Sequence, residues 1–482
     1  MKKEKQKPKE KGGNISRREF LGAAAMTAAA ATIVPRHVLG GQGHTPPSEK
    51  INLAMIGTGG QGTFDMRQFM AMDDVQVVSV CDVNELCDYT KFYFGGYAGR
   101  GPAQKIVNEH YADKNNAGSY KGCSAYADFR EMLEKESDID AVGVATTDNC
   151  HAIAAMAAIK KGKHVYCQKP LTHDIWEARQ LTLAARKYGV ATQMGNQGHA
   201  MEGNRLIKEW IDDGAIGDVV SVDVWTNRPF GYWPQGVERP TEVPSVPREL
   251  DWNLWLGPAP FRPYHPIYVP FNWRGRWDFG TGALGDMGCH LIDTPHFVLD
   301  LPHPVAVEAS CTPVNDDTAP VGSVIYYEFP AEGNKQPISM TWYDGGLLPK
   351  RPKELEEGRK IDKGGGVMFH GTTGKIMAGT YGDNPRLIPE TAMRAYKRPP
   401  KTLERSPGIY PAFIRACKGG APGSSNFDVS GPMTELVLLG NVAVHMNGQT
   451  LKWDGDNMRC TNVEDANKYV KRDYYGGWSL DF

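Results

Sequence analysis

The chain has 482 residues, 41% of them apolar and 23% charged, so it is too long for one hydrophobic core and too apolar for a disordered protein. A formal net charge of −2 excludes a general attraction to nucleic acid or to anionic membranes. Nine scattered cysteines include no C-x-x-C pair and no zinc spacing. We therefore expect a globular protein of two or three domains with free thiols and no metal site.

Residues 1–48 have the pattern of an export signal followed by a linker. A lysine-rich start is followed by S-R-R-E-F-L at 16–21 and a weakly apolar run at 22–34. This order is typical of a twin-arginine signal, and the apolar run is too short for a stable membrane span. The sequence therefore predicts a periplasmic or otherwise exported protein that uses the twin-arginine export machinery. A basic tail before an Ala-rich helix is the alternative.

A dinucleotide-binding pattern occupies residues 51–82. A strand-like run at 51–56 leads into G-T-G-G-Q-G at 57–62, and a helical run and a second strand-like run follow. Asp82 comes twenty residues after the last glycine. This is G-x-G-x-x-G between a strand and a helix, with an acid at the end of the next strand. A glycine-rich turn in an ordinary α/β protein is the alternative.

Each residue of this pattern has a physical role. Gly57 permits a tight turn, Gly59 lets the backbone approach a pyrophosphate, and Gly62 lets the helix pack on the strand. The first helical residues, Gly60 and Gln61, offer free amide groups to the phosphates. Asp82 can accept hydrogen bonds from both ribose hydroxyls, which favours NAD over NADP.

The end of the predicted nucleotide domain carries two further motifs. A buried strand at 139–145 ends in T-T-D-N-C-H at 146–151, at the carboxyl end of the strand, where ligands bind in open α/β sheets. An Ala-rich helix follows, and then G-K-H-V-Y-C-Q-K-P at 162–170. The sequence thereby resembles the Gfo/Idh/MocA oxidoreductases, except that Gln168 stands where that family has glutamate.

The resemblance implies a fold and several site residues. It implies an α/β protein with an N-terminal Rossmann domain at 49–197, a doubly wound parallel sheet that binds NAD. It implies a C-terminal α+β domain at 198–482, whose large, mainly antiparallel sheet binds substrate and often forms the oligomer face. Residues 410–447 would pack back on the first domain. The cofactor-binding residues would include Thr146, His151 and Lys169, the last beside the nicotinamide and the reacting hydroxyl, where a cation stabilises charge on oxygen.

The second domain offers candidate substrate-binding residues. Trp273 and Arg274 lie in F-N-W-R-G-R-W at 271–277, and aromatic faces beside arginine forks suit a pyranose ring. A structural aromatic cluster under a long loop is the alternative. The ends of two predicted strands supply the other polar candidates, which are Asn196, Asn227 and Arg228.

Asp286 and His290 stand four residues apart in a predicted helix, so both can face one pocket. The family has D-x-x-x-H at this place. The resemblance implies that Asp286 orients a substrate hydroxyl and that His290 removes its proton as hydride leaves the same carbon for NAD. A capping aspartate and a core histidine are the alternative, and the spacing does not fit H-E-x-x-H zinc binding.

Three functions follow from these residues. The first is an exported oxidoreductase with tightly bound NAD that acts on a hydroxyl of a sugar, cyclitol or glycoside and forms a homo-oligomer. The second is a glycoside hydrolase of the same family, in which NAD is reduced and reoxidised around an elimination. The third is a non-catalytic sugar-sensing protein. We also expect the aromatic tail at 469–482 to contact a neighbouring subunit.

Overall fold

The computed structural model describes residues 46–480 except 93, 332, 334 and 335. The predicted twin-arginine motif lies outside these residues. Within the described part of the chain, no helix combines the length and the apolar character needed to cross a membrane.

The first domain is built on a parallel sheet. Its elements are β1 (Ile51–Ile56), α1 (Gly60–Met70), β2 (Val75–Cys81), β3 (Cys87–Asp88), β4 (Tyr97–Ala98), α2 (Arg100–Lys114), β5 (Ser124–Tyr126), α3 (Phe129–Lys135), β6 (Ala141–Val144), α4 (Asp148–Lys160), β7 (His164–Cys167), α5 (Ile175–Tyr188) and β8 (Thr192–Met194). Among the described residues, six strands pair in parallel in the order β5-β2-β1-β6-β7-β8. The order reverses between β1 and β6, as in a doubly wound Rossmann sheet. The predicted fold class of this half is confirmed.

The second domain is built on a larger sheet. Its elements are α6 (Glu202–Asp212), β9 (Val219–Thr226), α7 (Trp252–Leu256), α8 (Gly282–Leu291), α9 (Asp293–Leu299), β10 (Ala306–Cys311), β11 (Ser323–Phe329), β12 (Ile338–Tyr343), β13 (Gly365–Gly371), β14 (Lys375–Ala378), β15 (Arg386–Ile388), α10 (Glu390–Ala395), α11 (Ile409–Cys417), α12 (Phe427–His445), β16 (Leu451–Asp454) and β17 (Arg459–Cys460). Nine strands of the described chain pair in the order β15-β14-β13-β9-β12-β11-β10-β16-β17. Strands β9 and β12 are parallel and the other neighbours antiparallel, which confirms the mainly antiparallel sheet.

The sequence explains why these sheets are covered differently. Strand β6, A-V-G-V, is buried at every residue, as expected for a parallel strand with helices on both faces. Strand β11 alternates buried and exposed positions over much of its length, which places one face on the core and the other in solvent. Helix α5 begins at a capping box formed by Asp174 and Glu177 and ends at Gly189 in the left-handed conformation.

Two late helices return to the first domain. Ile409 and Phe413 of α11 belong to the same buried cluster as Met55 of β1 and Phe69 of α1. Helix α12 packs against α5 of the first domain and α8 of the second. Helix α8 and the carboxyl ends of β1, β6 and β7 contribute residues to one cleft. This cleft is described below.

Candidate active site

The glycine turn after β1 is too tight for any side chain at two positions. Gly57 has φ +84°, and a Cβ added to it would lie 2.5 Å from the carbonyl oxygen of Ala145. A Cβ on Gly62 would overlap the carbonyl oxygen of Gly57. The turn therefore brings the first turn of α1 directly against the ends of β1 and β6, and Gly57, Gly59, Gly60 and Gln61 line the cleft.

Asp82 closes the other side of this turn. Its carboxylate accepts hydrogen bonds from the backbone amides of Thr58 at 2.7 Å and Asn84 at 2.8 Å. Burial raises the pKa of Asp82, although both hydrogen bonds oppose the rise. The side chain lines the cleft at the end of β2, where an acid can reach a ribose.

Two aromatic side chains from the segment between β2 and α2 cover the glycine turn. A Cβ on Gly59 would lie 2.5 Å from the Tyr89 hydroxyl oxygen, and one on Gly60 would overlap the Phe94 ring. Both aromatic residues line the cleft. Sequence reasoning missed them because the segment has no periodic pattern that would predict its path.

The segment after β6 supplies the two cleft residues that the sequence predicts there. Thr146 and His151 line the cleft, and His151 Nδ1 donates a 2.8 Å hydrogen bond to the Pro170 carbonyl oxygen. Burial lowers the pKa of His151 to about 4, so the ring is neutral at pH 7.

Asp148, the first residue of α4, also lines the cleft and was not predicted as a site residue. Its Oδ2 accepts hydrogen bonds from Thr281, at 2.7 Å from the hydroxyl and 3.1 Å from the amide. Burial raises the pKa of Asp148 to about 7, against the opposing effects of Thr281 and Arg274. Its place after a strand end in a predicted ligand loop was the one available signal.

Lys169 and Asp286 meet across the cleft from the two domains. Lys169 Nζ lies 2.8 Å from Asp286 Oδ1 and 3.0 Å from the Asp286 carbonyl oxygen, and the side chains are 17% and 14% exposed. Arg274 Nε lies 3.5 Å from the same Oδ1. Burial alone would raise the pKa of Asp286, but the charges of Lys169 and Arg274 lower it to about 2. Asp286 is therefore ionised at any physiological pH.

His290 lies one helical turn after Asp286 and is buried. Its Nδ1 has no hydrogen-bond partner among the described residues, and its ring meets the edge of Tyr381 at a centroid distance of 5.2 Å. Burial, and then the charge of Lys169, lowers the pKa of His290 to about 3. The imidazole is therefore neutral at pH 7. His290 is not among the described side chains that line the cleft.

The five predicted substrate residues other than Asp286 divide into two groups. Trp273 and Arg274 line the cleft. Asn196, Asn227 and Arg228 are not among its described lining residues; the Asn196 amide is buried without a partner in the described chain. Arg228 donates to Asn227 Oδ1 at 2.7 Å, and its charge lowers the pKa of His290. Arg228 and its partner Asn227 therefore lie near His290.

The replacement of the family's glutamate by Gln168 has a structural reason. Gln168 Nε2 donates to Asp65 Oδ2 at 2.8 Å, and Gln61 and Tyr410 donate to Asp65 Oδ1, each at 2.8 Å. Burial raises the pKa of Asp65 to about 6. A glutamate at 168 would place a second carboxylate against this buried acid, whereas the Gln168 amide donates a hydrogen bond to it.

A parallel sheet with a glycine turn, opening into a cleft that carries a lysine–aspartate pair, defines a protein of the dinucleotide-binding oxidoreductase class. Comparison with known families agrees. The model described as "Oxidoreductase family, NAD-binding Rossmann fold" matches residues 98–196, and "Oxidoreductase family, C-terminal alpha/beta domain" matches residues 202–480. The chain belongs to the Gfo/Idh/MocA oxidoreductase family, and NAD is the cofactor of its first domain.

Known proteins resemble parts of the chain. A 1,5-anhydro-D-fructose reductase of Ensifer adhaerens is 28% identical over 35% of this chain and 40% of its own length. A glycosyl hydrolase family 109 protein of Stenotrophomonas maltophilia is 31% identical over 32% of this chain and 29% of its own. The chain thus spans less than half the length of these curated relatives. The WlbA dehydrogenase of Bordetella pertussis, solved with NADH and UDP-GlcNAcA, has the same fold, with a TM-score of 0.54 and 16% identity over 84% of this chain and 99% of its own.

The residues around the cleft fit NAD. The backbone at Gly57 and Gly62 leaves no room for side chains, and Asp82 stands at the end of β2. Tyr89 and Phe94 lie against Gly59 and Gly60, on the side where a side chain of either residue would point. When bound, NAD supplies a hydride acceptor; the protein supplies the charges around it.

Proposed function

We propose that this protein is an NAD-dependent oxidoreductase that acts on a hydroxyl group of a sugar, cyclitol or glycoside. The observation that carries the proposal is the 2.8 Å ion pair between Lys169 and Asp286, which joins the two domains inside the cleft that begins at the glycine turn. A cation and an anion at one point can hold a hydroxyl as both acceptor and donor. They can also stabilise the charge that develops on its oxygen as hydride departs.

Asp286 and Lys169 would divide this work. The Asp286 pKa of about 2 keeps the carboxylate ionised, so it can accept a hydrogen bond from the substrate hydroxyl and orient it. The Lys169 ammonium would face the same oxygen and lower the hydroxyl's pKa. Burial of both side chains strengthens these interactions relative to water.

His290 would receive the hydroxyl proton, which leaves its initial hydrogen bond with Asp286 as it transfers. Its lowered pKa leaves the ring neutral, and its unused Nδ1 can accept a proton. The developing alkoxide partly offsets the charge of Lys169 that now disfavours imidazolium, so the basicity of His290 would rise as the reaction proceeds. Trp273 would stack on the sugar ring at the mouth of the site.

The test begins with mass spectrometry of small molecules released by denaturing the purified protein. Release of NAD, followed by stoichiometric NADH formation with members of a sugar, cyclitol and glycoside panel, is the expected result. Holoprotein that leaves the whole panel unchanged would favour a non-catalytic, sugar-sensing protein instead.

A redox-assisted glycoside hydrolase is the second candidate. The match to glycosyl hydrolase family 109 proteins favours it, although that match spans about a third of each chain. In this reaction the sugar is oxidised beside the leaving bond, the acidified C–H is removed, the glycosidic bond eliminates, water adds and the ketone is reduced. Net release of the aglycone with no NADH accumulation would distinguish it from a dehydrogenase.

We propose that the enzyme is exported through the twin-arginine pathway with NAD already bound. The S-R-R-E-F-L sequence at 16–21 before an apolar run supports this, because that pathway carries folded proteins. Tight NAD binding would suit a compartment without a nicotinamide supply. Fractionation of cells that express the wild type and the Arg17→Lys/Arg18→Lys variant tests it; equal export of both would contradict the proposal.

We also propose a homo-oligomer that forms through the large sheet. Tyr326 of β11 is 44% exposed on the side of the sheet away from the core. Light scattering of the purified protein should give a multiple of the chain mass, and a monomer mass would contradict this proposal.

A further inference from the structure

Lys169 and Arg274 both lie beside one ionised carboxylate, Asp286, and on the same oxygen of it. The Lys169 charge also acts on two further buried acids, Asp65 and Asp148, whose pKa values are about 6 and about 7. The charges around Lys169 are therefore close to balanced at neutral pH, and Arg274 is the cation of the cleft with hydrogen-bonding capacity to spare for an anion.

Arg274 is held as a preformed fork. Its guanidinium carbon lies over the rings of Phe271 and Trp273, at 4.0 and 4.3 Å from their centroids, and Nη1 donates to the Phe271 carbonyl oxygen at 3.0 Å. The side chain is only 15% exposed. These contacts restrict the position of the group, so little rotamer entropy remains to be lost when it binds an anion.

The Nε/Nη2 edge of this fork is not used by a close partner. The 3.5 Å distance from Nε to Asp286 Oδ1 is an ion pair that is too long for a good hydrogen bond. Nη2 donates to no described residue. Two parallel N–H groups in one plane are the geometry that a carboxylate satisfies with both oxygens. A neutral hydroxyl offers one uncharged oxygen to these two groups, whereas a carboxylate offers two charged ones.

We propose that the substrate carries a carboxylate, as a uronic acid or its glycoside, and that Arg274 binds this carboxylate through its Nε/Nη2 edge. Trp273 would stack on the ring while Asp286 and Lys169 hold the reacting hydroxyl. This inference rests on the proposed function. The cofactor's pyrophosphate is the other anion that could reach Arg274. The charge of Arg274 partly offsets the rise in the pKa of Tyr89, which lies beside the glycine turn.

Calorimetric titration of the NAD-containing protein tests the inference. Sodium D-glucuronate and D-galacturonate are compared with D-glucose and D-galactose, on the wild type and on Arg274→Gln. The same change at the exposed Arg248 is the matched control. We expect at least one uronate to bind about tenfold more tightly than its neutral counterpart, a typical gain for a bidentate charged pair. Arg274→Gln should abolish this preference and Arg248→Gln should keep it.

Further arms separate the alternatives. Thermal unfolding of each variant checks that the fold is kept, and Arg274→Lys, which keeps the charge without the fork, should retain only part of the preference. NAD affinity should change less than about twofold in Arg274→Gln; a parallel loss of NAD and uronate binding would assign Arg274 to the pyrophosphate and overturn the inference. Equal binding of uronates and neutral sugars by the wild type would also overturn it. NADH formation from neutral sugars, assayed in parallel, tests the proposed function independently.

Discussion

The Thr281 hydroxyl, immediately before helix α8 of the second domain, donates a 2.7 Å hydrogen bond to Asp148 Oδ2, at the start of helix α4 of the first. This bond fixes the end of the nucleotide sheet to the helix that carries Asp286 and His290. Both ends of the bond belong to buried helical termini, so the bond joins the cofactor-binding and substrate-binding halves of the site.

Asp148→Asn should make stability less dependent on pH. The folded pKa of about 7 lies above the ordinary value of 3.8, so the folded state binds the proton more tightly. Its contribution is present below about pH 4 and is lost as pH rises toward 7, by at most about 1.4 kcal/mol per pH unit. Asparagine can still accept from Thr281. Urea unfolding at pH 5, 6 and 7 should show the variant gaining on the wild type as pH rises; parallel curves would contradict the shift.

Lys169→Met should lower the rate of hydride transfer by about a hundredfold or more, because the charge that stabilises the oxygen is removed. The fold should persist, since Arg274 remains beside Asp286. Single-turnover NADH formation measures the effect. Lys161→Met, which removes an exposed lysine paired with Glu134, is the control and should change nothing. Wild-type rates in both variants would remove Lys169 from the reaction.

His290→Ala should also lower turnover by about a hundredfold. The pKa of about 3 further predicts that activity does not fall near pH 6.5 through protonation of this ring. Profiles of kcat/KM between pH 5 and 8 check this point. An acidic limb near pH 6.5 that is present in the wild type and missing in the residual activity of the variant would show that His290 titrates like a solvated histidine.

Gln168→Glu should destabilise the protein by about 1–3 kcal/mol, because a second acid then faces the buried Asp65 carboxylate. The loss should be larger at pH 8 than at pH 5, where the two acids can share a proton. The double variant Gln168→Glu/Asp65→Asn restores one acid and one amide and should recover most of the stability. Denaturant unfolding tests all three proteins, and an unaffected single variant would show that the pair is not coupled.

Phe94→Ala should speed the exchange of bound NAD for NADH several-fold, because the Phe94 ring lies against Gly60 at the start of α1. Stopped-flow nicotinamide fluorescence measures the exchange. Phe261→Ala, at a ring that is 75% exposed, serves as the control. If both variants exchange at the wild-type rate, the ring does not limit access to the glycine turn.

The C-terminal tail makes contacts that its local pattern does not indicate. Its aromatic composition predicts contact with a neighbouring subunit, and this stays a prediction. Within its own chain, Arg472 Nη2 donates to Glu177 Oε1 of α5 at 2.6 Å, and Arg130 lies 4.2 Å above the Trp478 ring. The tail covers the first domain of its own chain, and composition alone could not indicate which surface it would meet.

The sequence by itself determined the glycine turn, the cofactor class and the i, i+4 pair Asp286 and His290. These are set by spacing within one strand–turn–helix unit or one helix, where backbone geometry fixes which residues are neighbours. The choice of Lys169 came from the resemblance to the family. Only the tertiary structure showed the hydrogen bonds from Thr281 to Asp148 and from Gln168 to Asp65. It also showed that the rings of Tyr89 and Phe94 cover the glycine turn. Most of these contacts join residues far apart in the chain. They depend on the paths of loops that have no periodic pattern, and on the requirement that buried polar groups form hydrogen bonds.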